Sequence, residues 1–141
     1  MFKDLKVIIV EDSPLVQKQI ALTFEEVGLN VIGKAQNGVE ALMRCKKALP
    51  DLISIDVIMP EMHGIDLFRE IRKQFPEVKC LFVTCLRSEQ IKDAFPDEIE
   101  AFQFIEKPVT VDSLTAALKD LYDPPKARTE ETAAEEAQGA S

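Results

Sequence analysis

Five polar residues stand where apolar, strand-like runs of the sequence end. Glu11 and Asp12 follow Val7, Ile8, Ile9 and Val10; Asp56 follows Leu52, Ile53 and Ile55; Thr84 closes the run from Cys80; Lys107 comes just after Phe102 to Ile105. Singly, each is ordinary: an acidic pair at a strand end with a helix cap, a carboxylate before a turn, a lysine in a loop. Their joint meaning depends on topology. In an open parallel α/β sheet, ligands bind in the crevice beyond the carboxyl ends of the strands. A fold that brings these strand ends together gathers three carboxylates, a hydroxyl and an ammonium. Carboxylates crowded in this way repel one another and raise one another's pKa unless a cation lies between them. Hard oxygen ligands favour Mg²⁺, which takes one or two protein carboxylates and completes its shell with water and a phosphoryl oxygen. A phosphoryl group is the expected guest. Lys107 would meet one of its oxygens and the Thr84 hydroxyl another, while the metal neutralises a third. Asp56, central among them, is the expected nucleophile.

Positioning these groups requires strands and helices to alternate, and the chain alternates from end to end. Leu5 and Val7 to Val10 form a β-branched run of the kind buried on both faces of a sheet. Ser13 offers an N-cap and Pro14 a first-turn residue; Val16, Ile20, Phe24 and Val27 then recur at helical spacing until Gly28. A second strand over 31–35 precedes a helix capped by Asn37, with Val39, Leu42, Cys45 and Leu49 on one face and Pro50 as its stop. The third unit runs through Asp56, Val57, Ile58, Met59 and Pro60 into a helix after Gly64, with Ile65, Phe68, Ile71 and Phe75 inward. The fourth pairs the strand ending at Thr84 with a helix capped by Ser88, carrying Ile91 and Phe95 and cut short by Pro96. The fifth joins the strand over 102–105 to a last helix with Val111, Leu114, Leu118 and Leu121 as its stripe. Five such units predict a doubly wound α/β fold with a five-stranded parallel sheet and helices on both faces.

The chain has 141 residues, 46% of them hydrophobic, which suits one core in a domain of about 1–123. Lys and Arg number 17 against 25 Asp and Glu, a net charge of −8. That balance disfavours binding to nucleic-acid phosphates or to anionic lipid. No apolar run approaches the ~18 residues of a membrane span, and the run from Val7 to Val10 is too short for a signal-peptide core. A cytoplasmic protein is expected. Cys45, Cys80 and Cys85 lack the paired spacing of a zinc or redox motif, so buried free thiols are predicted. From Pro124 the composition turns to Ala, Glu and Thr without a large apolar residue, so 124–141 reads as a disordered acidic tail or linker stump. It carries −2 of the charge, leaving about −6 on the body.

The ordered set Glu11-Asp12-Ser13-Pro14, Asp56 with Met59-Pro60 and Gly64, Thr84, and Lys107-Pro108 resembles the receiver domains of two-component response regulators over about residues 4–122. The resemblance implies a flavodoxin-like sheet in strand order 2-1-3-4-5. It implies that Asp56 accepts a phosphoryl group from a phosphohistidine on a sensor histidine kinase or histidine phosphotransfer protein, with Thr84 and Lys107 holding the phosphoryl oxygens. Mg²⁺ would be bound by Asp12, Asp56 and the backbone carbonyl of Ile58, with Glu11 acting through water. Thr84 and Phe104 would form a switch that remodels the face built from the fourth helix, fifth strand and fifth helix, and a downstream protein target would read it. The resemblance extends to a phosphorylation-dependent dimer. No enzymatic activity is implied beyond self-phosphorylation and autodephosphorylation on Asp56.

The departures from that pattern carry expectations of their own. Phe104 stands where a tyrosine is common, which implies a purely steric switch. Ile58 and Leu86 offer no polar group to position a hydrolytic water, so slow autodephosphorylation is expected. Cys85 follows Thr84 where a smaller residue is usual, and could narrow donor access or act as a redox-sensitive thiol. His63, the only histidine, reads as a loop residue. Leu15 reads either as an exposed contact for a phosphotransfer helix or as a partly buried staple. Competing readings are a phosphorylation-independent scaffold and a small Mg²⁺-dependent phosphatase of the haloacid dehalogenase type. The latter wants a second aspartate where Ile58 stands. A flavin carrier on the same fold would need a Ser/Thr/Gly-rich loop after the first strand, where this chain has Glu11 and Asp12.

Overall fold

The computed structural model describes residues 2–57, 64–85 and 103–122. Five strands, β1 (Lys6–Val10), β2 (Asn30–Ala35), β3 (Leu52–Ile55), β4 (Lys79–Thr84) and β5 (Gln103–Glu106), form one sheet in the order β2-β1-β3-β4-β5. Every pairing is parallel. The described helices are α1 (Pro14–Val27), α2 (Gly38–Lys47), α3 (Gly64–Gln74) and α4 (Val111–Tyr122). The helix expected after Ser88, with Ile91, Phe95 and Pro96, lies outside the described residues, as do Ile58, Met59, Pro60, His63, Leu86, Phe102 and the segment from Pro124.

Period-two alternation sorts the strand residues into two cores, one on each face of the sheet. Ile8, Val10, Ile53, Ile55, Cys80 and Phe82 pack with Ala41 and Cys45 of α2 and Leu67, Phe68 and Ile71 of α3. Val7, Ile9, Leu52, Leu81, Val83 and Ile105 pack with Ile20, Ala21 and Phe24 of α1 and with Leu114, Leu118 and Leu121 of α4. Apart from the buried Ser54, the interior positions of the central strands are therefore apolar in succession, the pattern of a doubly covered sheet.

Local signals set the helix ends. The Ser13 side chain accepts from the Val16 amide at 3.3 Å and the Asn37 side chain from the Glu40 amide at 2.9 Å. Gly28, at φ 100°, takes the left-handed conformation that closes α1. Several apolar stripes run differently from the sequence expectation. Val39, Leu49 and Val111 are exposed, because the core-facing positions of α2 are Gly38, Ala41 and Cys45, and α4 buries Leu114, Ala117, Leu118 and Leu121. In α1 the buried series is Gln17, Ile20, Ala21 and Phe24. Of the thiols expected to be buried, Cys45 and Cys80 are, whereas Cys85 is exposed, since it lies one residue past the end of β4.

Candidate functional site

The register of the sheet brings the predicted residues to one edge. Val10 pairs with Ile55, so Glu11 and Asp56 both leave the sheet at the same level. Thr84 pairs with Glu106, so Lys107 follows immediately, its amide donating to the Thr84 carbonyl at 2.8 Å. The backbone amide of Glu11 bonds to the Ala35 carbonyl at 3.0 Å, and that of Asp56 to the Val10 carbonyl at 3.2 Å, continuing the ladders by one rung each.

The side chains converge. One carboxylate oxygen from each of Glu11, Asp12 and Asp56 lies within 4.8 Å of the others. The Lys107 ammonium donates to both oxygens of Glu11, at 2.9 and 3.0 Å, and to Asp56 Oδ2 at 3.0 Å. Glu11, Asp56 and Thr84 are buried, whereas Asp12 is exposed at the rim. Burial raises the Glu11 carboxyl, the hydrogen bonds from Lys107 draw it down and the neighbouring Asp56 carboxylate raises it, and the balance stands at about 7. Burial also opposes the charge on Lys107, but its two carboxylate partners outweigh that and hold the ammonium above its ordinary range.

This donor set fits a hard divalent cation: three carboxylates are close enough to share one ion, and the rim-exposed Asp12 leaves room for water ligands. Gly64 is needed behind the site. A Cβ there would overlap the Asp56 carbonyl oxygen and sit 2.8 Å from the Val57 Cα, so α3 can begin this close to the Asp56 backbone only without a side chain. The Gly64 amide donates to the Val57 carbonyl at 3.0 Å. Phe104 is half-buried and packs against the core on the α2–α3 face. Leu15 is 67% exposed, so the staple alternative is not what the fold adopts.

Sequence reasoning passed over Gln17. Its side-chain amide donates to the carbonyls of Glu11, at 3.2 Å, and Ala35, at 3.0 Å. The signal was present: residues 17, 20, 21 and 24 form an i, i+3, i+4, i+7 series, with a polar residue in the first core-facing place.

The family sequence model of the response regulator receiver domain matches residues 7–119. The chain belongs to this family. As a receiver of two-component signalling it is similar to the chemotaxis protein CheY of Thermotoga maritima, at 32% identity over 80% of this chain and 93% of that protein. It is also 34% identical to a protein-glutamate methylesterase/protein-glutamine glutaminase of Pyrococcus horikoshii. That match covers 94% of this receiver but only 36% of the methylesterase, so the chain spans about a third of that relative's length. Among solved structures, the CheX-CheY-BeF₃-Mg²⁺ complex of Borrelia burgdorferi aligns with a TM-score of 0.73 at 25% identity, covering 85% of this chain and 90% of that one. None of the described helices is long and apolar enough to cross a membrane.

Proposed function

We propose that this receiver is phosphorylated on Asp56 by a phosphohistidine of a sensor histidine kinase or histidine phosphotransfer protein. An Asp56 carboxylate oxygen attacks phosphorus, the P–N bond breaks, its electron pair returns to the imidazole, and an acyl phosphate forms. Asp12, Asp56 and the Ile58 carbonyl would hold Mg²⁺, with Glu11 acting through water, and the ion would offset the negative charge of the transferred group. Lys107, already hydrogen-bonded to Asp56, turns to a phosphoryl oxygen, and the Thr84 hydroxyl takes another. Thr84 and Phe104 then bias a two-state face read by a downstream protein, and hydrolysis at Asp56 resets it; the chain has no other catalysis in this reading.

The observation that carries the proposal is the convergence of Lys107 with Glu11 and Asp56 at 2.9–3.0 Å beside a three-carboxylate cluster. A bare structural ion pair would not require the third carboxylate. Similarity to CheY over most of both chains supports chemotaxis as the first setting to test. The CheX-CheY complex supports a protein as a binding partner of such a receiver.

The test is intact-protein mass spectrometry after incubation with acetyl phosphate, on wild type with Mg²⁺, wild type without metal, and Asp56→Asn. One phosphoryl mass that requires both Asp56 and Mg²⁺ is expected. A folded wild type that never gains it, with kinase extracts as well, overturns the proposal in favour of a phosphorylation-independent scaffold.

A further inference from the structure

Gln17 occupies a core-facing position on α1 and is itself buried, 8% exposed. A buried amide must find partners or carry a large desolvation cost. Both bonds from its nitrogen go to the sheet: one to the Glu11 carbonyl, the other to the Ala35 carbonyl, which also accepts the Glu11 amide. The last paired residues of β1 and β2 are Val10 and Ala35, so the Gln17 side chain adds a rung just where the parallel ladder runs out. Its own backbone amide bonds to the Ser13 carbonyl at 2.9 Å, in the turn that opens α1. The Glu11 backbone is therefore held at its N–H by the Ala35 carbonyl and at its C=O by Gln17, and the adjoining Asp12 departs from a clamped backbone.

We infer that Gln17 is a positioning residue for the Mg²⁺ site: by clamping the Glu11 carbonyl it aims the Glu11 and Asp12 carboxylates without touching the metal. The inference rests on the functional reading of the acidic cluster. Mg²⁺ tolerates little departure from octahedral geometry, so loosening the backbone beneath one ligand and one water-mediated partner weakens binding more than it slows a reaction at saturating metal.

The test compares wild type, Gln17→Met, which keeps the length and loses both donors, and Ile71→Val, a core change in α3 that costs stability elsewhere. Mg²⁺ affinity is measured by calorimetry, and the rate of phosphorylation by acetyl phosphate as a function of Mg²⁺. Gln17→Met is expected to need about tenfold more Mg²⁺, with its rate at saturating Mg²⁺ close to wild type; Ile71→Val should need the wild-type concentration. An unchanged Mg²⁺ requirement in Gln17→Met, or an equal rise in Ile71→Val, overturns the inference. Should Gln17→Met not fold, wild type alone decides. In ¹⁵N NMR the Gln17 side-chain amide is expected to shift and to exchange more slowly on Mg²⁺ addition, and no response overturns the inference. A wild type that binds Mg²⁺ but accepts no phosphoryl group defeats the proposed function while leaving this test intact, and one that binds no Mg²⁺ defeats both.

Discussion

Lys107 is the residue on which the electrostatics of the site turn. With only 14% of its side chain exposed, it shares one positive charge between two carboxyl groups that are themselves buried. Removing one partner of a buried ion pair leaves an uncompensated charge, at a cost of about 3–5 kcal/mol. Lys107→Met is therefore expected to lower the urea midpoint of the metal-free protein sharply, and added Mg²⁺ to recover part of the loss, because the ion takes over the neutralisation. A metal-free midpoint equal to wild type would contradict the pairing. Glu11 supplies the pH dependence. Its carboxyl is raised from 4.5 to about 7 in the fold, chiefly by burial. Between those values the folded state binds more protons than the unfolded, so its contribution to stability is complete below about pH 4.5 and is lost as pH rises through 7. Metal-free wild type measured against Glu11→Gln should show that loss in urea titrations from pH 4.5 to 7.5. Mg²⁺, which competes with the proton, should bind more tightly across the same range.

At the scale of elements, Glu11, Asp12 and Asp56 owe their place to joins between a strand and a helix. Ser13 and Pro14 start α1 directly after the acidic pair, and Gly64 starts α3 against the Asp56 backbone. Gly64→Ala tests the second join. The added methyl meets backbone atoms, which cannot swing aside, so a destabilisation of about 2 kcal/mol is expected from overpacking. Because the obstructing atom is the Asp56 carbonyl, Mg²⁺ affinity should fall as well. Calorimetry on the alanine variant checks this, and a loss of stability with unaltered Mg²⁺ binding would show that the helix, not Asp56, gave way. The caps at Ser13, Asn37 and Gly28 were legible from residue type alone, since each supplies a hydrogen bond or a backbone angle that its neighbours lack. The inward faces were less so. Val39 and Val111 have core-like side chains yet are exposed, because the helix faces that meet the core are those marked by Ala41 and Cys45 and by Leu114 and Leu118.

For the whole molecule, the net charge of −8 and the cluster at the sheet edge act in the same direction. A divalent cation that binds the folded state alone raises stability by RT ln(1 + [L]/Kd), about 1.4 kcal/mol for each tenfold rise above Kd. Urea midpoints at constant ionic strength should therefore climb linearly with the logarithm of Mg²⁺ concentration, with the slope of one ion, and stay flat in NaCl. A response to both salts alike would indicate general screening of the acidic surface in place of a site.

The sequence by itself determined which groups stand at the strand ends and that the strands run parallel, because burial on both faces and turn chemistry are written in neighbouring residues. Glu11, Asp12, Asp56, Thr84 and Lys107 were legible for that reason. Only the tertiary structure decided that Lys107 bonds to Glu11, 96 residues away, as well as to Asp56, and that Gln17 clamps the Glu11 carbonyl. It also decided that Cys85 and Leu15 are exposed. These facts depend on strand order and on how far each helix reaches across the sheet. They are distances between remote parts of the chain, on which local periodicity carries no information.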